Sequence, residues 1–259
     1  MSILVATHKR YDFPALDLYV PMQVGAQGKD KLGYACDNDG ISISDKNASY
    51  CELTALYWQW KNDQSAIKGL VHYRRYFTSS SFSTTRFMSK NIIDEKGVDA
   101  ALSKYDILIP KARSYFVFSV WQQYAIRHYS RDLRVARDVL AVMYPDYISA
   151  FDHVVSSREL VRFNMLIAKR SVYDKYCEWL FPLLGRIEQE IDVSNYDSYQ
   201  QRVIGFLAER LFNVWLAYNA NAVSVGRLDV VSLEKEKVVA KVVSFGAAFL
   251  RSHFGSKAP

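Results

Sequence analysis

Apolar positions along this chain fall into two patterns. Residues 2–6, 67–73, 102–110 and 163–168 are short runs of apolar and β-branched side chains, as expected of strands buried in a sheet. Pro110 closes the third of them. Residues 48–61, 119–155, 172–190 and 195–218 instead repeat apolar and aromatic side chains at helical spacing. Ser44 or Asp45 is placed to cap the first of these helices. Residues 21–46 are rich in Gly, Asp, Asn and Ser and read as irregular, with a turn at Asp39-Gly40. Residues 78–85 are Ser/Thr-rich and read as a loop. Strands alternating with helices make this an α/β chain.

The last stretch differs. Residues 237–259 hold four Lys/Arg and no acid. Val238, Val239, Val242, Phe245 and Phe249 can share one helical face, with Lys237, Lys241 and Arg251 on the other. Such a basic amphipathic helix suits an anionic membrane surface. The expected organisation is one domain over 1–225 followed by a tail over 226–259.

Composition narrows the class. With 259 residues and 50% hydrophobic content the chain can bury a full core. Its net charge of +6 and pI near 9.0 favour anionic partners. The cations are spread along the chain without a basic block, so nucleic acid is not indicated. Cys36, Cys51 and Cys177 sit at no metal-site spacing and read as reduced residues of a cytoplasmic protein. The N-terminus reads as a strand rather than a signal peptide, and no run reaches the ~20 apolar residues that span a bilayer.

The candidate chemistry lies where predicted strands end. The first leads into Thr7-His8-Lys9 and the second into His72-Tyr73-Arg74-Arg75. Loops at strand ends are where an α/β sheet takes ligands, and arginine forks grip phosphate or carboxylate. Neither G-x-G-x-x-G nor G-x-x-x-x-G-K-[ST] is present. Arg127, Arg131 and Arg134 recur at helical spacing, as a solvated stripe or a phosphate-facing one. His128 and Asp132 stand four apart, which on one helix places them on one face. Asp37-Asn38-Asp39 is literally D-x-D, a metal-ligand pattern or a plain turn.

Several stretches together resemble a bacterial family of capsular polysaccharide synthesis glycosyltransferases, long described as a domain of unknown function. They are Thr7-His8-Lys9; Lys46-Asn47; Tyr50-Cys51-Glu52-Leu53-Thr54 with Tyr57-Trp58 and Trp60-Lys61-Asn62; and His72-Tyr73-Arg74-Arg75-Tyr76. His128 and Asp132, Asn164-Met165, Tyr176-Cys177, Trp179-Leu180-Phe181 and Glu209-Arg210-Leu211 come later, in the same order. The resemblance covers residues 3–218 and leaves the tail outside.

It implies a single A-type, Rossmann-like glycosyltransferase domain with a mostly helical C-terminal part. It also implies transfer from a UDP-sugar to a lipid-linked glycan in capsule or O-antigen synthesis, by a peripheral protein on the inner face of the cytoplasmic membrane. Some relatives are assigned galactofuranosyl transfer. A-type enzymes commonly use Mn²⁺ or Mg²⁺ on a D-x-D motif. Here cations stand at the central strand's end, so Arg74, Arg75 and His72 are expected to stabilise the departing diphosphate, with Asp37 and Asp39 as the alternative metal ligands. Thr7, His8, Lys9, Asp37, Asn38 and Asn47 are expected around the nucleotide, with Tyr73, Trp58 and Asn164 completing the substrate site. Asp132, oriented by His128, is the first choice of base and Glu52 the second; a retaining reaction needs neither. Glu209 and Arg210 read as a base with its partner or as a buried structural pair. Trp58, Trp60, Trp121 and Tyr124 are candidates for sugar stacking or for the core.

Overall fold

The structure is a computed structural model that describes residues 1–234. Strands β1 (Ser2–Thr7), β2 (Tyr19–Gln23) and β3 (Ala35–Cys36) come first, then helices α1 (Asn47–Tyr50) and α2 (Leu53–Asn62). Strands β4 (Ile67–His72), β5 (Arg75–Thr78), β6 (Thr84–Phe87) and β7 (Lys90–Ile93) are next, then helix α3 (Glu95–Leu102). Strands β8 (Ile107–Pro110) and β9 (Arg113–Ser114) lead into α4 (Val120–Arg127), α5 (Ser130–Met143) and α6 (Ile148–Ser156). The described residues end with β10 (Glu159–Leu160), β11 (Leu166–Lys169), α7 (Arg170–Glu190), α8 (Val203–Tyr218) and β12 (Val225–Ser232).

Eight strands form one mixed sheet in the order β11-β8-β12-β5-β4-β1-β2-β3. β1 runs parallel to both β2 and β4, and β2 runs parallel to β3. The far edge of β4 is shared: residues 67–70 pair antiparallel with β11, while His72 pairs with Arg75 of β5. Gly69 permits this. A Cβ there would lie 3.0 Å from both the Leu166 carbonyl oxygen and the Ile167 side chain.

Both faces of the sheet are covered, which explains the unbroken apolar runs. Leu4, Ala6, Leu70, Ile107 and Ile109 face a core shared with α2 and α4–α8. Ile3, Val5, Val71 and Leu108 face the other side, with β5, β7 and α3. This is the two-residue period of a strand, set against two cores. Each fully buried Leu or Ile contributes roughly 1.5–3 kcal/mol. Lys68 is 1% exposed and is neutralised by Asp174 at 2.8 Å.

Several expectations are corrected. The stretch 21–46 is not wholly irregular: β2, begun at Tyr19, and β3 extend the parallel sheet. Pro21 inside β2 hides the strand from pattern reading. The helix expected over 48–61 is two helices, broken at Cys51 (φ 53°, ψ −130°). No side chain caps its start; the Ser44 hydroxyl goes instead to Asp37. Residues 102–110 are a strand only from Ile107, and 163–168 only from Leu166. Residues 119–155 form three helices, so Arg127 and Arg131 lie on different ones and make no continuous stripe. The C-terminal part is mostly helical, yet β12 brings the chain back between β8 and β5. Residues 226–232 therefore belong to the sheet and not to a tail. The basic helix expected over 237–259 lies outside the described residues.

Candidate functional site

The chain steps from β1 through β2 to β3 in one direction, whereas β4 lies on the other side of β1. The C-terminal ends of β1 and β4 thus flank a point where strand order reverses, the usual place for a ligand crevice in an α/β sheet. Thr7-His8-Lys9 and His72-Tyr73-Arg74 meet there.

Thr7 is 1% exposed, and its hydroxyl donates to the Lys9 carbonyl at 2.7 Å, so it shapes the loop. Tyr73, largely buried, is the pedestal. The His8 ring meets it edge-on at 5.5 Å, Lys9 Nζ lies 5.0 Å from its centroid, and the Arg74 guanidinium 5.5 Å. Between the two cations sits a carboxylate: Glu234 is 3.7 Å from Lys9 and 3.3 Å from Arg74. Partial burial pulls the His8 imidazole below its ordinary pKa, and Lys9, Arg74, Lys29 and Arg202 pull it further. The charge of four cations therefore bears on this one ring. Lys29, from the loop after β2, and Arg202, from the turn before α8, belong to no motif that marks them along the chain. Only the fold brings them to His8. Arg202 Nε donates to the Cys51 sulfur at 3.2 Å, at the strained break between α1 and α2.

A second group lies behind. His72 Nε2 donates to the Phe163 carbonyl at 2.8 Å, which fixes the tautomer because a carbonyl only accepts. Burial lowers the His72 pKa against the opposing pull of Glu52, whose Oε1 is 4.0 Å away. Glu52 leads into α2, where a helix N-terminus favours negative charge, and its Oε1 accepts from Asn164 Nδ2 at 2.9 Å. Phe163 (φ 84°) and Asn164 (φ 50°) are consecutive left-handed non-glycine residues. Such backbone costs about 1–3 kcal/mol per residue and persists where its surroundings demand it. Here it pins His72 and Glu52 at once. Arg75 departs from expectation: its guanidinium lies over the Phe163 ring at 4.5 Å, whereas Arg74 lies over Tyr73. The two guanidiniums thus lie over different rings.

Asp37 does not fit a metal. It is 0% exposed, and its oxygens accept from Gly25 N at 2.7 Å, Ala26 N at 3.0 Å and the Ser44 hydroxyl. It holds the loop after β2, where Gly25 (φ +61°) passes so close to Asn47 that a Cβ would overlap its side chain. Asn38 and Asp39 are exposed, and the Asp39 carbonyl accepts from Trp58 Nε1. Trp58 thus braces this turn. Asn47 is spent on Cys51 and Thr54. Among the described residues no group of three or more His, Cys, Asp and Glu is arranged for a metal ion.

His128 and Asp132 are not a base with its orienter. The helix breaks between them: His128 ends α4, and Asp132 lies in the first turn of α5. His128 Nδ1 pairs with Gln200 Oε1 at 3.1 Å, while Asp132 accepts from the Tyr196 hydroxyl at 2.6 Å. Burial, then Arg210, pushes the His128 pKa down to about 3. His128 is neutral when folded and charges readily when unfolded. Stability is therefore complete above about pH 6.5 and declines as pH falls from there toward 3. Thermal melts of wild type and His128→Asn over that window are expected to converge at acid pH. A parallel decline in both would remove His128 as the cause. Glu209 binds Phe163 N and Arg210, a structural pair, and Tyr124 is core.

The fold and this crevice together define a mixed α/β domain with a cation-lined crevice at the C-terminal ends of two interior strands. Residues 2–220 match the family described as a domain of unknown function (DUF4422), and the chain belongs to that family. Among solved structures, the apo structure of the WbbM bifunctional glycosyltransferase is similar over 90% of this chain, at 28% identity and a TM-score of 0.81. This chain spans 45% of that protein's length. No curated protein matches.

Proposed function

We propose that the domain is a glycosyltransferase of the A-type fold that uses a nucleotide-diphosphate sugar, with UDP-sugars as the first choice. The observation that carries this is the crevice between β1 and β4. Lys9 and Arg74 already hold a carboxylate, that of Glu234, and Lys29 and Arg202 add charge from two other elements. A departing diphosphate needs such an arrangement, since developing negative charge is stabilised by preplaced cations. The similarity to a bifunctional glycosyltransferase supports the reaction class. Glu52, 4.0 Å from His72, is the base of this reading, and Asn164 fixes its carboxylate. Thr7 and Asp37 serve the site by shaping its loops. The proposed acceptor is a lipid-linked surface glycan of capsule or O-antigen type, and the proposed sugar a hexose, galactofuranose included. We place the protein at the inner face of the cytoplasmic membrane, the tail beyond residue 234 contributing to that contact.

The test is nucleotide release from UDP-, GDP-, CMP- and dTDP-sugars with lipid-linked acceptors, with and without EDTA. Release from one donor that survives EDTA is the expected result. Release abolished by EDTA and restored by Mn²⁺ would move the charge-neutralising role to a metal. Tight nucleotide binding without release from any donor would reduce the domain to a binding module.

A further inference from the structure

β8 runs antiparallel to β11, and β11 antiparallel to β4, so β8 points the same way as β4. Its end at Pro110 therefore opens on the same sheet edge as the crevice. Beyond it the chain makes an apolar turn. Phe116 is 81% exposed and Val117 72% exposed, side by side. Their presentation is built in. Tyr115 N donates to the Arg158 carbonyl at 2.8 Å, and Phe118 N closes the turn on the Tyr115 carbonyl at 3.2 Å. Phe116 N is held by the Ser114 hydroxyl at 3.2 Å, and Ser119 anchors the far side through a capping box into α4. Phe116 sits at φ 55°, a conformation that non-glycine residues rarely adopt. The backbone is thus held in an uncommon shape that leaves two large apolar side chains in water.

The charged residues around this turn are mostly cations. Segments 111–119 and 157–163 contain Lys111, Arg113, Arg158 and Arg162 against Glu159 alone. Lys111 is held at 2.8 Å by Asp229; Arg113 and Arg158 are exposed. The collar reaches the inner site directly. The Arg162 guanidinium lies over the Phe163 ring at 4.5 Å, and the Phe163 carbonyl pins His72.

We propose that the turn at residues 115–118 is a lipid-docking element: Phe116 and Val117 enter the interfacial layer of an anionic bilayer while Arg113 and Arg158 meet its headgroups. Apolar tips ringed by cations bind such surfaces through buried area and headgroup attraction together. The charge pattern favours a lipid surface over a protein groove, because Lys111, Arg113, Arg158 and Arg162 outnumber the two acids beside them, Glu159 and Asp229, and Asp229 is taken by Lys111. Docked this way, the bilayer lies across the β8–β11 side of the crevice, where a lipid-linked acceptor would present its sugar. That consequence rests on the transferase reading; the docking itself does not.

The experiment is cosedimentation of the full chain with vesicles of phosphatidylcholine alone or mixed with phosphatidylglycerol. Wild type, a Phe116→Ser/Val117→Ser double variant and an Arg113→Ser/Arg158→Ser double variant are compared. The exposed positions leave the fold intact, which equal thermal melts confirm. Wild type is expected to bind the anionic vesicles, and each double variant to bind about tenfold more weakly. A Phe116→Trp variant is expected to be quenched by brominated acyl chains in the anionic vesicles, which reports entry of this turn whatever the tail does. Wild-type binding to neither vesicle, an apolar variant that binds like wild type, or an unquenched Phe116→Trp variant each overturns the proposal. So does self-association that the serine variants abolish without any vesicle binding, since it assigns the turn to a protein contact. The readout is lipid binding, so these failures leave the transferase reading standing.

Discussion

Replacing Glu52 by glutamine is expected to lower sugar transfer by about 10²–10⁴-fold while leaving donor binding nearly unchanged. Glutamine keeps the oxygen that accepts from Asn164 Nδ2, so the side chain stays in place and only the proton-accepting carboxylate is lost. Its neighbours are arranged for that role. His72 spends its Nε2 proton on the Phe163 carbonyl and, with a depressed pKa, adds no competing positive charge near neutrality. The rival carboxylate is worse placed: Asp132 is 2% exposed and already accepts from Tyr196. Asp132→Asn is therefore expected to leave turnover within about threefold of wild type. Initial rates at saturating donor and titration calorimetry with UDP separate the two effects. Equal turnover for Glu52→Gln and wild type would make Glu52 a structural anchor for Asn164 and point to a reaction without a carboxylate base.

The main strands were legible because both faces of the sheet are buried, and buried strands announce themselves as apolar runs. The β1 and β4 ends were legible for the same reason: polar residues abruptly succeed Ala6 and Val71. The rest depended on tertiary structure. β2 contains Pro21, and its pairing is decided by β1. The kink at Cys51 carries no glycine to signal it, because the backbone there is set by packing against Gly205 and Arg202. Spacing four apart linked His128 with Asp132 only on the premise of one continuous helix. Ser130 begins a new helix, and the premise fails. Asp37 misled through composition: D-x-D describes side chains and says nothing of backbone amides that can satisfy them. Arg202 and Lys29 left no local signal, since neighbours in space but distant in sequence are a property of the fold alone.

The cation cluster sets the second large effect. Arg74→Ala is expected to lower kcat/KM by about 10²–10³-fold, the scale of losing a preplaced group that stabilises developing charge. Arg202→Ala is expected to act in the same direction, and the double variant to lose less than the product of the two, because the charge of both bears on the same ring. Glu234 sharpens the expectation. Its carboxylate bridges Lys9 and Arg74 while every group involved is roughly half exposed, where such pairs contribute little. A diphosphate, with more charge and more acceptor atoms, is expected to displace it at small cost. Affinity measured for uridine, UMP and UDP decides whether the arginines act on phosphate. A loss in Arg74→Ala that grows from uridine to UDP places the guanidinium on the diphosphate. An equal loss for all three would mean that Arg74 only props Tyr73, and the anion site would then rest on Lys9, Lys29 and Arg202. Because phosphate attraction is screened, the wild-type advantage over Arg74→Ala should also shrink as salt rises.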